Sequence, residues 1–303
     1  MMSEPLVSIV MNCYNGEKYL RQAIDSIFNQ TYQNWEIIFW DNQSNDKSSE
    51  IYKSYKDSRL KYFCSKKHSL LCEARNYAIE KANGEFIAFL DVDDWWMECK
   101  LKKQIELFVD QKIGFVCGNY FIVSEKNKNK QKKSFSRPVP TGDVLNDLLK
   151  KYYVGLLTLI IRKRVLDDLD YMFNEEYHIV GDFELVLRIA SREKMGCVHQ
   201  PIAYYRVHDS NGSLSNIDLL LKEFKDCIKG LSSIKTIRFS ENFHYLYHNY
   251  TYIKASNFIT KSDKKSAFNL LKGIPLGSLK LKLLLLLLMP QFVIRRFKKI
   301  NND

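Results

Sequence analysis

Through the first third of the chain, strand-length apolar runs alternate with segments of helical period, and this alternation limits the possible folds more than any other feature. Residues 6–11 are an apolar run of strand length, after which Tyr19, Leu20, Ala23, Ile24, Ile27 and Phe28 recur at helical spacing. Residues 35–40 read as the next strand, followed by a polar turn and a helix near residues 48–55. Residues 60–63 make a short strand. Ala74, Ala78 and Ala82 then mark one face of a helix closed by Gly84, and residues 86–90 are a fourth strand. Strict alternation of this kind predicts an α/β fold with a doubly wound, mainly parallel sheet.

Ligands of such sheets bind beyond the carboxyl ends of the strands. Three polar clusters fall there: "NCYN" at residues 12–15, "WDNQSND" at 40–46 and "DVDD" at 91–94. The third is the most informative. An apolar strand runs straight into Asp91, Asp93 and Asp94, and Trp95 and Trp96 follow. Crowded carboxylates repel one another, which raises the cost of ionising each. A cation among them removes that cost. Carboxylates are hard oxygen donors that suit Mg²⁺ or Mn²⁺, above all when a diphosphate completes the shell. The plainer alternative is an Asp-rich turn in which Asp94 caps a helix. The position at a strand end, facing two other polar clusters, favours the metal.

Further along, residues 114–123 and 156–161 read as strands. Residues 181–190 read as a helix with Phe183, Val186, Leu187 and Ala190 on one face, and residues 202–215 as a strand entering a polar loop. From residue 216 the pattern is helical, over 219–231 and 245–258, so the expected division is an α/β domain at 1–215 and a helical region at 216–303. The 303 residues, 46% of them hydrophobic, suffice for such a core with an appendage.

Seven scattered cysteines with no C-x-x-C pair read as buried thiols in a reducing compartment. The apolar start is short and passes directly into a strand, so the expected location is cytoplasmic. Of the net charge of +11, five lysines lie within residues 126–133, where no aromatic residue interleaves with them. That excludes base stacking and with it nucleic acid as an expected partner, and the run reads as a flexible loop. Residues 283–294 carry no charge and are flanked by Lys280, Lys282, Arg295, Arg296, Lys298 and Lys299. As a helix they would span about 18 Å, short of the roughly 30 Å hydrocarbon core, and Pro290 would interrupt the ladder. The pattern fits a segment lying in an anionic membrane surface better than a buried terminal helix or a spanning one.

The stretches "VSIVMNCYNGEKYLRQAIDSIFNQTYQNWEIIFWDNQSNDKS" and "EARNYAIEKANGEFIAFLDVDDWW" resemble the family 2 glycosyltransferases, with motifs in the right order over roughly residues 5–215. The resemblance implies a GT-A fold and inverting transfer of a sugar from a nucleotide diphosphate donor, usually UDP-linked, with Mn²⁺ or Mg²⁺. Position by position, it implies that Tyr14 packs on the base and Asp41 bonds it. Arg75 of "ARN" would lie near the diphosphate and sugar, Asp91 would be the first acid of a D-x-D motif, and Asp93 the acid closest to the metal. Asp182 would be the general base. Arg206 and His208 belong to a matching "YRVH" loop, whose histidine approaches metal or diphosphate. The chain departs from the family at Asn12, Asn42 and Gln43, and at Gly181, where a glutamate is usual.

Read alone, these residues admit other roles. Tyr14 could be packing, Asp182 a helix N-cap, and His208 a surface histidine. Trp95 and Trp96 could form an acceptor platform or fill the core. His244 and His248 have i, i+4 spacing without the glutamate of a zinc helix and read as a helix face. The expected function is transfer to a lipid-linked saccharide acceptor in bacterial surface polysaccharide synthesis by a protein peripheral to the inner face of the cell membrane. One alternative is a non-catalytic carbohydrate- or lipid-binding protein. A sugar nucleotidyltransferase is the other, and the single glycine in "NCYNGEKYL" argues against it because no glycine-rich triphosphate loop is present.

Overall fold

The computed structural model describes residues 4–126, 131–209 and 216–290. The strands are β1 (Val7–Cys13), β2 (Trp35–Asp41), β3 (Leu60–Cys64), β4 (Phe86–Phe89), β5 (Trp95–Trp96), β6 (Ile113–Ser124), β7 (Gln131–Lys133), β8 (Ile160–Arg162) and β9 (Lys194–Val207). They form one sheet in the order β3-β2-β1-β4-β8-β6-β9-β5, with β7 on β6. The long ladders are parallel: β2 and β4 flank β1 in this sense, β3 flanks β2, and β6 joins β9. β8 is antiparallel to both β4 and β6 and links the two halves.

β1 and β2 are buried along their whole length, as expected of strands covered on both faces. Successive residues therefore enter different cores. Ile9, Met11 and Ile37 pack with Leu20, Ala23, Ile24 and Ile27 of helix α1 (Leu20–Phe28). Val10 and Ile38 pack with Ala74, Ala78 and Ile79 of helix α3 (Leu71–Ile79), while α2 (Ser48–Ser54) covers the sheet beside α1. This is the doubly wound α/β arrangement.

Several local expectations are corrected. The run at 156–161 begins as a 3-10 turn, Leu156–Thr158, because the Thr158 hydroxyl donates to Gly155 O at 2.8 Å and accepts from Gly118 N at 3.1 Å. The lysine run is not all loop: β7 pairs with β6, while residues 127–130 lie outside the described residues. Nor does the core stop near residue 215. The helix Ile217–Leu231 puts Phe224, Cys227, Ile228 and Leu231 into the α3-side core, and Ile237 and Leu246 join them. Ala255, Ile259, Ala267, Leu271, Ile274 and Leu283 form a separate small cluster farther on. The apolar C-terminal run forms the helix Ser278–Leu288. Its basic flank at Arg295, Arg296, Lys298 and Lys299 lies outside the described residues, as do residues 210–215 at the expected boundary.

Candidate active site

The ends of β1 and β2 are stitched together by short polar side chains. Asn15 takes a left-handed φ of 55°, which asparagine tolerates, and its Oδ1 accepts from Asn45 N at 2.9 Å. Gly16 N and Glu17 N donate to Ser48 Oγ and Asp46 Oδ2, each at 2.9 Å. Gly16 has no room for a side chain, since a Cβ there would lie 2.8 Å from Val92 Cγ2 inside the "DVDD" turn. The three strand-end clusters therefore meet. With residues from later loops they enclose a cavity of about 1050 Å³ whose lining includes Tyr14, Arg75, Asp91, Asp93, Asp182 and His208.

The carboxylates divide their work. Asp91 takes both of its oxygens to Arg75 Nη2, at 2.9 and 3.2 Å, and the guanidinium is buried. Asp93 Oδ2 lies 2.9 Å from His208 Nε2. Burial pushes the Asp93 carboxyl above the usual carboxylate range and Asp91 repels it further, while the His208 bond opposes both. Asp94 caps no helix. It is buried and accepts from Arg206 N at 2.8 Å, and burial followed by repulsion from Asp93 raises its pKa well above normal.

Asp182 enters from the other side, on the helix Gly181–Ala190. The cap position is Val180, so Asp182 sits inside the first turn and is not the N-cap. Gly181 starts this helix against α3, where a Cβ would lie 2.3 Å from Cys72 Sγ, so a glutamate at this position would require Cys72 to shift. Burial raises the Asp182 pKa, Asp91 adds to the rise, and Arg75 and the first-turn backbone oppose it. The segment before this helix is held from far along the chain. Buried Glu223 of the helix Ile217–Leu231 accepts from His178 N, Ile179 N and Val180 N at 2.9, 2.8 and 3.2 Å.

Two expected donor ligands lie outside the cavity lining. Asp41 is buried at the end of β2, where it accepts from Ser44 N at 2.8 Å and Tyr62 Oη at 2.7 Å. Arg206 is buried, donates to Asp93 O at 2.8 Å and Gln22 Oε1 at 2.6 Å, and lies over the rings of Tyr19 and Trp95. It braces the carboxylate turn from behind. Trp96 is core, with Nε1 donating to Leu157 O. Trp95 stacks on Tyr204 at 4.7 Å, takes Arg206 on its ring, and does not line the cavity that holds Asp182. His244 and His248 share a helix face, as expected. Tyr14 is 54% exposed, its ring 4.4 Å from that of His68. Lining residues that the sequence reading missed include Tyr19, Tyr120, Glu125, Tyr152, His178 and Tyr205. The signal available for most of them was an aromatic residue at a strand or helix end, too common to single out.

A family model described as "Glycosyl transferase family 2" matches residues 8–169, just over half of the chain. The chain belongs to glycosyl transferase family 2. Among its relatives is WfgD of Escherichia coli, a UDP-Glc:alpha-D-GlcNAc-diphosphoundecaprenol beta-1,3-glucosyltransferase. It is 36% identical over 180 residues, which are 59% of this chain and 69% of WfgD. The fold is that of S. aureus TarS 1-349, at a TM-score of 0.65 and 16% identity over 89% of this chain and 81% of that one. The mannosyltransferase PcManGT from Pyrobaculum calidifontis, solved with GDP-Man and Mn²⁺, gives a TM-score of 0.58 at 15% identity over 90% and 75% of the two chains. This family 2 glycosyltransferase thus has the expected α/β fold of the GT-A type.

The glycosyltransferase site fits a small divalent cation. Asp93 and His208 offer a carboxylate oxygen and an imidazole nitrogen side by side on the cavity wall, and among the described residues no group of three such donors forms a cage. The carboxylate oxygen suits Mg²⁺ or Mn²⁺, which take few protein ligands and fill the shell with phosphate oxygens and water, while the imidazole nitrogen suits Mn²⁺ better than Mg²⁺.

Proposed function

We propose that this chain moves a sugar from a UDP-linked donor to a saccharide carried on a lipid diphosphate, inverting the anomeric centre, with Mn²⁺ or Mg²⁺ as cofactor. The observation that carries the reading is that Asp182 lines the same cavity as the Arg75–Asp91 pair and the Asp93–His208 pair. The WfgD name supplies the donor and acceptor classes.

Asp182 is the general base. An acceptor hydroxyl has a high pKa, and a carboxylate whose own pKa is raised toward the working pH is the better base for it. One base suffices for a single displacement, and the site needs no second carboxylate as nucleophile. Buried Arg75, oriented by Asp91, puts a fixed positive charge beside the position of the leaving diphosphate. Asp93 and His208 would hold the divalent cation, which supplies charge stabilisation to that leaving group. The exposed ring of Tyr14 takes the base of the nucleotide, and Asp41 holds the loop behind it. Arg206 acts through Asp93 and Asp94 and does not itself bind the donor.

No helix among the described residues is long and apolar enough to cross a membrane. Leu281, Leu285 and Leu288 of the helix Ser278–Leu288 are exposed, as is Leu276 just before it. We assign this apolar face to the surface of the cytoplasmic leaflet, where it would hold the cavity beside a lipid-linked acceptor.

The test is Asp93→Ala. It should abolish transfer from UDP-glucose and make UDP binding, measured by calorimetry, insensitive to Mn²⁺. Near-normal turnover with an unchanged metal requirement would remove Asp93 from the cation site.

A further inference from the structure

A residue of the cavity wall carries a buried hydroxyl group that has no hydrogen-bond partner among the described residues. Tyr152 lies between the helix Leu145–Lys150 and the 3-10 turn Leu156–Thr158, and it lines the cavity. Its ring packs edge-on against Phe183, the neighbour of Asp182, at 5.0 Å. Its Oη is shut off from solvent and has no hydrogen-bond partner among the described residues. A buried donor left unpaired costs free energy, and phenylalanine would fill the same space without that cost.

Burial raises the phenol pKa well above its ordinary value, and among the charged groups around it Asp182 adds most to the rise. The hydroxyl therefore stays protonated within the field of Asp182, able to donate. Among the described residues Asn12 Nδ2 is the other unpartnered buried side-chain atom on a lining residue, but it lies near the end of β1, on the Tyr14 side of the cavity. Tyr152 lies with Asp182.

We propose that Tyr152 is a sugar-binding residue, its hydroxyl donating a hydrogen bond to an oxygen of the acceptor saccharide as that saccharide meets Asp182. The inference rests on Asp182 being the acceptor-side base. A site built to bond a substrate oxygen discriminates strongly against ligands that lack it, because the buried protein group is then left unpaired. Tyr152 thus helps to select which saccharide is accepted, and it does so at a cost to the free protein that binding removes.

The full chain and its Tyr152→Phe and Asp182→Asn variants are compared, with UDP-glucose as donor and GlcNAc-diphosphate on a short alkyl chain as acceptor. Tyr152→Phe should melt at or above the wild-type temperature, bind UDP equally well, and lose at least tenfold in kcat/KM for the acceptor. If it melts lower and keeps its acceptor kinetics, the hydroxyl is satisfied within the fold and the proposal falls. If UDP or UDP-glucose affinity falls instead, the hydroxyl belongs to the donor, and the acceptor assignment is overturned. Transfer retained by Asp182→Asn would refute the base assignment itself, a result separate from any Tyr152 outcome.

Discussion

Asp182 and Asp93 are both partly withdrawn from water and both raised in pKa, yet they answer to different neighbours. Asp182 faces Arg75 as its main compensating charge, whereas Asp93 is balanced by His208. Replacing Asp182 with asparagine keeps shape and removes basicity. Transfer should drop by about two orders of magnitude or more, as for loss of a general base, with UDP affinity unchanged. The sign of the pH effect follows from the raised pKa. The proposed base is active when ionised, so kcat/KM for the acceptor should fall as pH drops through a value above the usual carboxylate range. A pH–rate profile with its acid limb at an ordinary aspartate value would contradict that environment. A variant that still transfers but melts far earlier would reduce Asp182 to a role in its helix.

At the scale of elements, the wall that carries Asp182 depends on a helix that follows the last strand. Glu223→Ala leaves three backbone donors ahead of Asp182 without their acceptor. The expected cost is about 2–4 kcal/mol in denaturant unfolding, at the usual penalty for stranded buried polar groups, with a fall in acceptor turnover larger than any change in UDP affinity. Equal losses on donor and acceptor sides would show only a general loosening. Nothing near Glu223 in sequence announces this role, because its partners lie more than forty residues earlier and the helix around it reads as an ordinary amphipathic one. By contrast β1, β2 and β4 were legible because each is apolar on both faces. The first half of β9 was not, since His199 and Gln200 are exposed and Pro201 falls where the pairing with β6 shifts register. The D-x-D turn was visible as crowded charge. The bracing by Arg206 was not, because a buried arginine and a ligand arginine look alike in a sequence.

For the whole molecule, the question is what the C-terminal helices add. The main core ends by Leu246, and Leu283 belongs to a small separate cluster. Deleting residues 279–303 should therefore leave UDP binding intact while releasing the protein from membranes. Full-length protein should sediment with anionic liposomes, and less so as salt rises. Full-length chain left in the supernatant at low salt, or a truncation that unfolds the α/β core, would make the terminal helix a structural element only.

The order of the strands also dictates how the protein must be made. β4 finds its second neighbour, β8, only after seventy more residues have been synthesised, and β6 must wait for β9 to complete its long parallel ladder. Until then the emerging chain carries an open apolar edge at Phe86–Phe89, the kind of surface that recruits another chain when translation stalls. The turn bearing Asp93 is braced by Arg206, close to the end of the last strand. A nascent chain therefore lacks the proposed donor site until the sheet is closed, and on that proposal the enzyme becomes competent to hold a nucleotide sugar only once it is also past its greatest risk of aggregation.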